Sequence, residues 1–220
     1  MNPLAISPLF SGLTPGETAY ALRFFNAQER RYPKGGALHR TGEPFTAFGL
    51  VLSGAVHVLS YDYNGTPVIM ASVTAGESFG ESLCFLRQPA GVYVRAAEDA
   101  AVLWLNPDRL RADAPRTCPL DDRLAERFTA MLAERTLRMN DRIQILSKIG
   151  LRGKLVTYLS QCVREAGSDS FSVPLSREEL AVYLGVNRSA LSRELSRMRA
   201  DGLVEYERNR FRVIKTLDPA

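Results

Sequence analysis

Side chains that could read a base sequence cluster in the stretch "VNRSALSRELSRMRADGL", residues 186–203. Five of them fall on one face at helical spacing: Arg188, Ser189, Ser192, Arg193 and Arg197. A guanidinium donates two hydrogen bonds to O6 and N7 of guanine, and a hydroxyl binds a base or a phosphate. Any one of these arginines alone would be an ordinary solvated side chain. The set predicts a surface that reads DNA.

Two short helices must position these side chains. Ser176 and Glu179 have the spacing of a capping box, so the first helix begins there. Gly185 can adopt the left-handed conformation that ends it, and Asn187 is a good N-cap for the second. Asn187 is also predicted to bind DNA together with the five residues named above. The inward-facing stripes are Leu180 and Leu184 on the first helix, and Leu191, Leu195 and Met198 on the second. This pattern predicts a helix-turn-helix.

The flanking segments extend this motif. A helix, "LRGKLVTYLSQCVREAG", and a short strand, "SFSVPL", precede it, and "LVEYERNRFRVI" reads as a hairpin around Arg208 and Asn209. This is the element order of a winged helix-turn-helix. From Lys148 onward the chain has thirteen basic and nine acidic residues, whereas the preceding residues are balanced. The surplus favours a polyanionic partner for the last third of the chain.

The first half has a different texture. Thr14, Pro15 and Glu17 predict the start of one short helix. From about Gln28 to Asn106, β-branched and aromatic runs alternate with glycines and an Asn-Gly hairpin signal. We therefore expect an antiparallel sandwich or barrel here, and an all-β half.

A long helix should connect the halves, because "LDDRLAERFTAMLAERTLRMNDRIQILSKIG" lacks proline and internal glycine. Apolar residues recur near heptad spacing, with Arg135 interrupting them. The seam favours a dimer interface made by Leu124, Phe128, Met131, Met139 and Ile143. The alternative is a helix that packs its seam on its own domain. The dimer interface is favoured because Leu132 and Leu137 provide a second apolar face for packing within the chain.

Composition excludes several classes of protein. The chain has no Ser/His/Asp set, metal triad or phosphate loop, so we do not expect an enzyme. Cys84, Cys118 and Cys162 are too scattered for a disulfide framework or zinc knuckle, and a reducing compartment fits them. No basic leader or bilayer-length apolar run is present, so we expect a cytoplasmic protein without a membrane partner.

Over nearly its full length the sequence resembles the Crp/Fnr family of bacterial transcription regulators. "RYPKGGALHRTGEPFTAFGLVLSGAVHVLS" looks like the opening strands of the family's β-roll, and "AGESFGESLCF" like the segment that cradles a cyclic phosphate. The resemblance implies an α+β protein: an effector-sensing, jelly-roll-like antiparallel β-roll (1–116), a dimerisation helix (117–149) and a winged helix-turn-helix (150–220). Its base-reading positions fall on Arg188, Ser189, Ser192 and Arg193, although the family often has Glu at position 189.

The resemblance also implies an effector site. Its positions here are Gly80, Glu81, Ser82, Ala90 and Gly91. Members that bind cyclic AMP follow the Gly-Glu pair with an Arg-Ser pair whose cation neutralises the phosphate. Ala90 and Gly91 stand in its place, and Arg87 reads as a surface loop residue. Burying a phosphate without a cation is costly, so we predict that cyclic AMP does not bind.

Other members sense redox state or gases. An iron-sulfur cluster normally takes four thiolates, and three scattered cysteines match poorly. A haem would need His39, His57 or Cys84 as axial ligand, and a thiol switch would use Cys84 or Cys118. An uncharged or unfamiliar small molecule remains as the expected effector.

The expectation is a homodimeric regulator that binds an inverted repeat in double-stranded DNA, with recognition helices about 34 Å apart. RNA polymerase would be a partner of an activator. The rival is a ligand-binding module whose helix-turn-helix contacts protein.

Overall fold

The computed structural model describes residues 2–61, 63–65, 67–111, 117–173 and 175–215. The chain divides into two compact units, Met1–Glu134 and Arg135–Ala220. The first carries two four-stranded antiparallel sheets, and the second is mainly helical with one small three-stranded sheet, which confirms the α+β class. The segment 112–116, beside the boundary predicted at 116/117, lies outside the described residues.

Two short helices begin the first unit. Asn2 caps α1 (Pro3–Ile6), and Thr14 with Glu17 forms the predicted capping box of α2 (Pro15–Phe24). The expectation of a single helix was wrong, because α1 is only one turn long and leaves no periodic pattern in the sequence.

Two four-stranded antiparallel sheets follow, as the β-rich texture predicted. In the described residues the strands are β1 (Gln28–Tyr32), β2 (Ala37–His39), β3 (Phe48–Ser53), β4 (Ala55–Tyr61), β5 (Pro67–Thr74), β6 (Ser78–Phe79), β7 (Tyr93–Ala96) and β8 (Ala100–Leu105). The sheet orders are β1-β8-β3-β6 and β2-β7-β4-β5. Asn64 and Gly65 lie between paired β4 and β5, as the hairpin signal indicated. Phe48, Val56 and Val102 are among the buried side chains that form the core.

Helix α3 (Glu81–Leu86) interrupts the half that was expected to be all-β. Its six residues are too few for a helical period to show in the sequence. A single 3₁₀ turn, Asp108–Leu110, follows the last strand. The all-β expectation for residues 28–106 was therefore wrong at α3, which falls in the predicted effector segment.

Helix α4 (Pro119–Leu146) is the predicted long helix, about 42 Å at 1.5 Å per residue. Asp121 in its first turn is fully buried. Its carboxylate accepts hydrogen bonds from the Tyr20 hydroxyl at 2.6 Å and the Thr117 amide at 2.8 Å, and Arg109 lies 3.5 Å away. These contacts fix the start of α4 on α2 and the last turn of the sandwich.

The second unit has the predicted winged helix-turn-helix order. It contains α5 (Gly150–Ala166), β9 (Ser170–Ser172), α6 (Arg177–Leu184), α7 (Arg188–Ala200), β10 (Val204–Glu207) and β11 (Arg210–Val213). The strands pair in the order β10-β11-β9, so β9 completes the sheet of the wing. Leu155, Leu159 and Leu195 are fully buried between the helices. Across the described residues, no helix has the length and apolarity needed to span a bilayer.

Candidate nucleic-acid interface

Helix α6 and the turn after it have the local structure that the sequence predicted. The Ser176 side chain accepts the amide hydrogen of Glu179, whose carboxylate accepts that of Ser176, so both halves of the capping box form. Gly185 has φ +65°, and its amide closes the last turn. Because few residues other than glycine adopt this conformation without strain, Gly185 lets the chain turn directly into α7.

Helix α7 is anchored at its start and along one face. Oδ1 of Asn187 accepts the Ala190 amide at 2.7 Å, which confirms Asn187 as the N-cap. The predicted inner stripe is buried: Leu191, Leu195 and Met198. The opposite face is therefore turned to solvent.

The six predicted DNA-binding residues all lie exposed on α7 or at its cap: Asn187, Arg188, Ser189, Ser192, Arg193 and Arg197. Arg188 approaches Glu178 at 3.6 Å, and Arg197 approaches Glu194 at 3.5 Å. The pair of Arg188 is loose and exposed on both sides, so it costs little to open. Arg197 is itself 73% exposed, although its partner Glu194 is largely buried. Arg193 makes no ion pair or hydrogen bond with any described residue. The early part of α7 thus presents two guanidiniums and two hydroxyls to a ligand.

Two other arginines of this unit are held in place by the wing. The guanidinium of Arg199 lies 3.9 Å above the Tyr206 ring and donates to the Tyr206 carbonyl at 2.8 Å. Arg177 stacks on Tyr206 and Phe211 and donates to the carbonyl of Arg208. Burial lowers the pKa of Arg177 despite the Tyr206 contact. These two arginines connect the helices to the hairpin.

An ion-pair cluster positions α7, and sequence reasoning missed it. Arg152 in the first turn of α5 donates to Glu194 at 2.6 Å and to Asp201 at 2.5 Å. The Glu194 side chain is largely buried, at 12% exposure. Arg152 and Glu194 are 42 positions apart, so no local pattern could have paired them.

The predicted effector segment surrounds the start of α3. Gly80 has φ +84° and precedes the helix, and Glu81 is buried, at 3% exposure. The hydroxyl of Ser78 donates to the Glu81 carboxylate and also lies 3.8 Å from the sulfur of Met131 in α4. Ser82 is exposed. The buried carboxyl of Glu81 therefore lies beside a residue that contacts α4.

Ala90 and Gly91 lie where the resemblance expects a cation and a hydroxyl. Ala90 is buried, and its amide and carbonyl bond to the chain at Glu43 and Gly42. Arg87 is exposed and pairs with Asp108 at 3.1 Å, as a surface residue would. The described residues of this segment supply no side-chain cation at position 90 or 91.

The four candidate redox or haem residues differ in accessibility. Nε2 of His39 is buried without a hydrogen-bond partner among the described residues, and the ring stacks on Phe45 at 3.8 Å. Burial lowers the pKa of His39, and Glu43 only partly opposes this. Cys84 is buried, which raises its pKa to about 12. The buried thiol of Cys84 does not fit a reactive cysteine. Nδ1 of His57 on β4 is likewise buried without a hydrogen-bond partner among the described residues, and Cys118 is partly buried.

The predicted dimer residues separate into two groups. Leu124, Phe128 and Met131 are buried in the core of the first unit, which for these positions favours the alternative of packing on the same domain. Leu132 packs there too, but Leu137, expected beside it, is exposed because it lies past the end of that unit. Met139 and Ile143 are 59% and 60% exposed. The apolar surface left on α4 thus lies in its second half.

Comparison with known proteins identifies both parts of the chain. Residues 29–112 match the cyclic nucleotide-binding domain, and residues 153–220 match the Crp-like helix-turn-helix domain. The chain is 30% identical to the cyclic AMP receptor protein of Thermus thermophilus, over 90% of this chain and 88% of that protein.

Solved structures agree on the fold. The Thermus thermophilus catabolite activator protein matches with 28% identity and a TM-score of 0.53, over 96% of this chain and 95% of that one. The c-di-GMP-responsive regulator CLP of Xanthomonas campestris is 20% identical, covers 92% of this chain and 100% of that one, and has a TM-score of 0.56. The two domain matches and the relative from Thermus thermophilus, together with the exposed face of α7 and the wing, place the chain in the Crp/Fnr family of DNA-binding transcription regulators.

Proposed function

We propose that this regulator binds an inverted repeat as a homodimer and reads it with Arg188, Ser189, Ser192 and Arg193. The observation that carries the proposal is the start of α7, where these side chains are exposed over a fully buried opposite face. A helix of this kind inserts its first turns into the major groove. Arg188 and Arg193 select guanines with paired hydrogen bonds, and neighbouring groups bind phosphates.

The second half of α4 supports the dimer. Met139, Ile143 and Leu146 recur at spacings of four and three residues, so they form one stripe, and all three are exposed in the single chain. An exposed apolar stripe of this kind is stabilised when a second copy covers it. In such a dimer each copy contributes one α7 helix. The two helices would enter successive major grooves of the DNA, which lie about 34 Å apart.

Oligomeric state tests this seam directly. Light scattering of the purified protein should give twice the mass of the 24.4 kDa chain. Ile143→Glu places a charge in the stripe and should yield monomer, whereas Gln144→Glu, on an exposed neighbouring position, should leave the dimer intact. Equal behaviour of the two variants would contradict a seam through Ile143.

We propose further that the effector is not cyclic AMP. The relative from Thermus thermophilus is named a cyclic AMP receptor, which by itself favours that nucleotide. Two observations argue against cyclic AMP. A buried Ala90 occupies the position expected for the cation, and Arg87 forms an exposed ion pair with Asp108. Among the five predicted effector residues the one ionisable side chain is that of the buried Glu81, which offers a phosphate no positive charge. An uncharged ligand avoids the cost of burying an unpaired anion.

Equilibrium titration with cyclic AMP decides this point. We expect no saturable binding in the micromolar range, and no effect of the nucleotide on DNA affinity. Micromolar binding would overturn the proposal. An ultraviolet-visible spectrum of protein purified without air checks haem separately: we expect no Soret band, and a band that disappears in a His57→Ala variant would assign haem to β4.

A further inference from the structure

The hydroxyl hydrogen of Ser189 is already used within the protein. Ser189 Oγ lies 2.9 Å from Oδ1 of Asn187, and the same Oδ1 accepts the Ala190 amide at 2.7 Å. Because a backbone amide can only donate, the atom it meets must be the amide oxygen of Asn187. An oxygen of this kind cannot donate, so the hydroxyl of Ser189 must donate to it.

This hydrogen bond decides what Ser189 offers to DNA. A free serine hydroxyl can donate or accept, and it therefore discriminates poorly between bases. Ser189 is exposed on the base-reading face, and with its hydrogen directed at Asn187 only its lone pairs face outward. In the major groove, the groups that donate to such an acceptor are the amino groups of cytosine and adenine; guanine and thymine present acceptor oxygens.

We propose that Ser189 is a specificity residue that accepts a hydrogen bond from the amino group of one cytosine or adenine in each half-site. Asn187 is its positioning residue, because its side-chain oxygen fixes the direction of the hydroxyl. The flanking arginines, Arg188 and Arg193, offer only donors and select acceptors. The three side chains would thus read alternating donor and acceptor groups. This inference rests on the proposed function of α7.

Selection from a random duplex pool tests the inference at single-base resolution. The wild type should enrich cytosine or adenine at one position of each half-site. In Ser189→Ala that preference should disappear while the rest of the repeat is unchanged. Asn187→Asp is the matched control, because it keeps an oxygen for both the Ala190 amide and the Ser189 hydroxyl; its overall affinity can fall, but the base preference should persist.

A thermodynamic cycle of one protein variant and one base analogue measures the contribution of the amino group to binding. At the position identified, cytosine is replaced by 2-pyrimidinone, or adenine by purine, each of which lacks only the amino group. The wild type should lose roughly three- to tenfold in affinity, the range of one neutral hydrogen bond. Ser189→Ala should bind the two duplexes equally, which also removes any effect on the duplex itself.

Two results would overturn the inference while the proposed function stands. One is a preference for guanine or thymine at the Ser189-dependent position, which would mean that the hydroxyl donates. The other is a repeat selected identically by wild type and Ser189→Ala. If the wild type selects no inverted repeat at all, the proposed function itself fails and the inference falls with it.

Discussion

Nε of Arg152 lies 2.6 Å from Oε1 of Glu194, which links the first turn of α5 to the middle of α7. The same guanidinium reaches Asp201 at the end of α7. A cation in the first turn of a helix is unfavourable because of the helix dipole, and the two carboxylates offset this cost for Arg152. Helix α7 is therefore fixed to α5 at two points, the largely buried Glu194 and the exposed Asp201 at its end.

Arg152→Ala should lower the stability of the second unit. Among the described residues, its loss leaves the largely buried Glu194 with one ion pair, to Arg197 at 3.5 Å, and we expect about 1 kcal/mol less free energy of unfolding. Urea unfolding followed by helical circular dichroism measures this. Arg212→Ala removes an exposed pair with Glu205 at 4.0 Å and should change little. Equal losses would contradict the positioning role of Arg152.

Asp121→Asn should destabilise the first unit in a pH-dependent manner. Burial alone would raise the pKa of Asp121, but hydrogen bonds from Tyr20 and Thr117 and the charge of Arg109 hold it below its usual value. A lowered folded pKa contributes stability above the unfolded value, and this contribution is lost as pH falls through the folded pKa. At neutral pH we expect the variant to lose about 1–3 kcal/mol of unfolding free energy relative to wild type. This difference between the two proteins should become smaller as the pH is lowered.

Fluorescence of Trp104, the single tryptophan, reports this unit, because its indole is buried in that core. Asp122→Asn, at the exposed neighbouring position, is the control. A gap between Asp121→Asn and wild type that stays constant from neutral pH down to about pH 3 would show that the charge of Asp121 is irrelevant.

Local signals explain what the sequence could predict. Capping residues and a left-handed glycine contact residues no more than four positions away in the sequence. Ser176, Gly185 and Asn187 therefore predict the helix-turn-helix without knowledge of any tertiary contact. The heptad-like pattern of α4 could not show which positions the sandwich covers, since Phe128 and Ile143 are equally apolar. The Arg152 cluster and the bond between Ser189 and Asn187 depend on side-chain geometry, which a sequence does not contain.

Gly80→Ala should be far more damaging than Gly91→Ala. At Gly80 the backbone has φ +84°, and an added Cβ would lie 2.8 Å from the Phe45 ring, so both strain and collision result. We expect a loss of about 1–2 kcal/mol from the left-handed conformation alone. Gly91 lacks a positive φ, and an added Cβ meets nothing within 4 Å. Thermal unfolding of the two variants compares them; similar losses would contradict the close packing of Phe45 on Gly80.

Cys84 should resist alkylation in the folded protein. Burial raises the pKa of its thiol to about 12, with Asp108 adding to the effect, so almost no thiolate is present near neutral pH. Iodoacetamide labelling followed by mass spectrometry should modify the partly buried Cys118 before Cys84. Labelling of Cys84 at least as fast as Cys118 would restore it as a thiol-switch candidate.

Base reading by the exposed face of α7 is tested most directly by the affinity of Arg193→Ala for two duplexes of equal length, the selected inverted repeat and a random sequence. We predict a loss of roughly 1–3 kcal/mol at the repeat and much less on random DNA. Arg164→Ala removes the same charge from the last turn of α5 and should leave the ratio of the two affinities unchanged. Equal losses of Arg193→Ala on both duplexes would show that Arg193 only contacts phosphate, and would contradict the account.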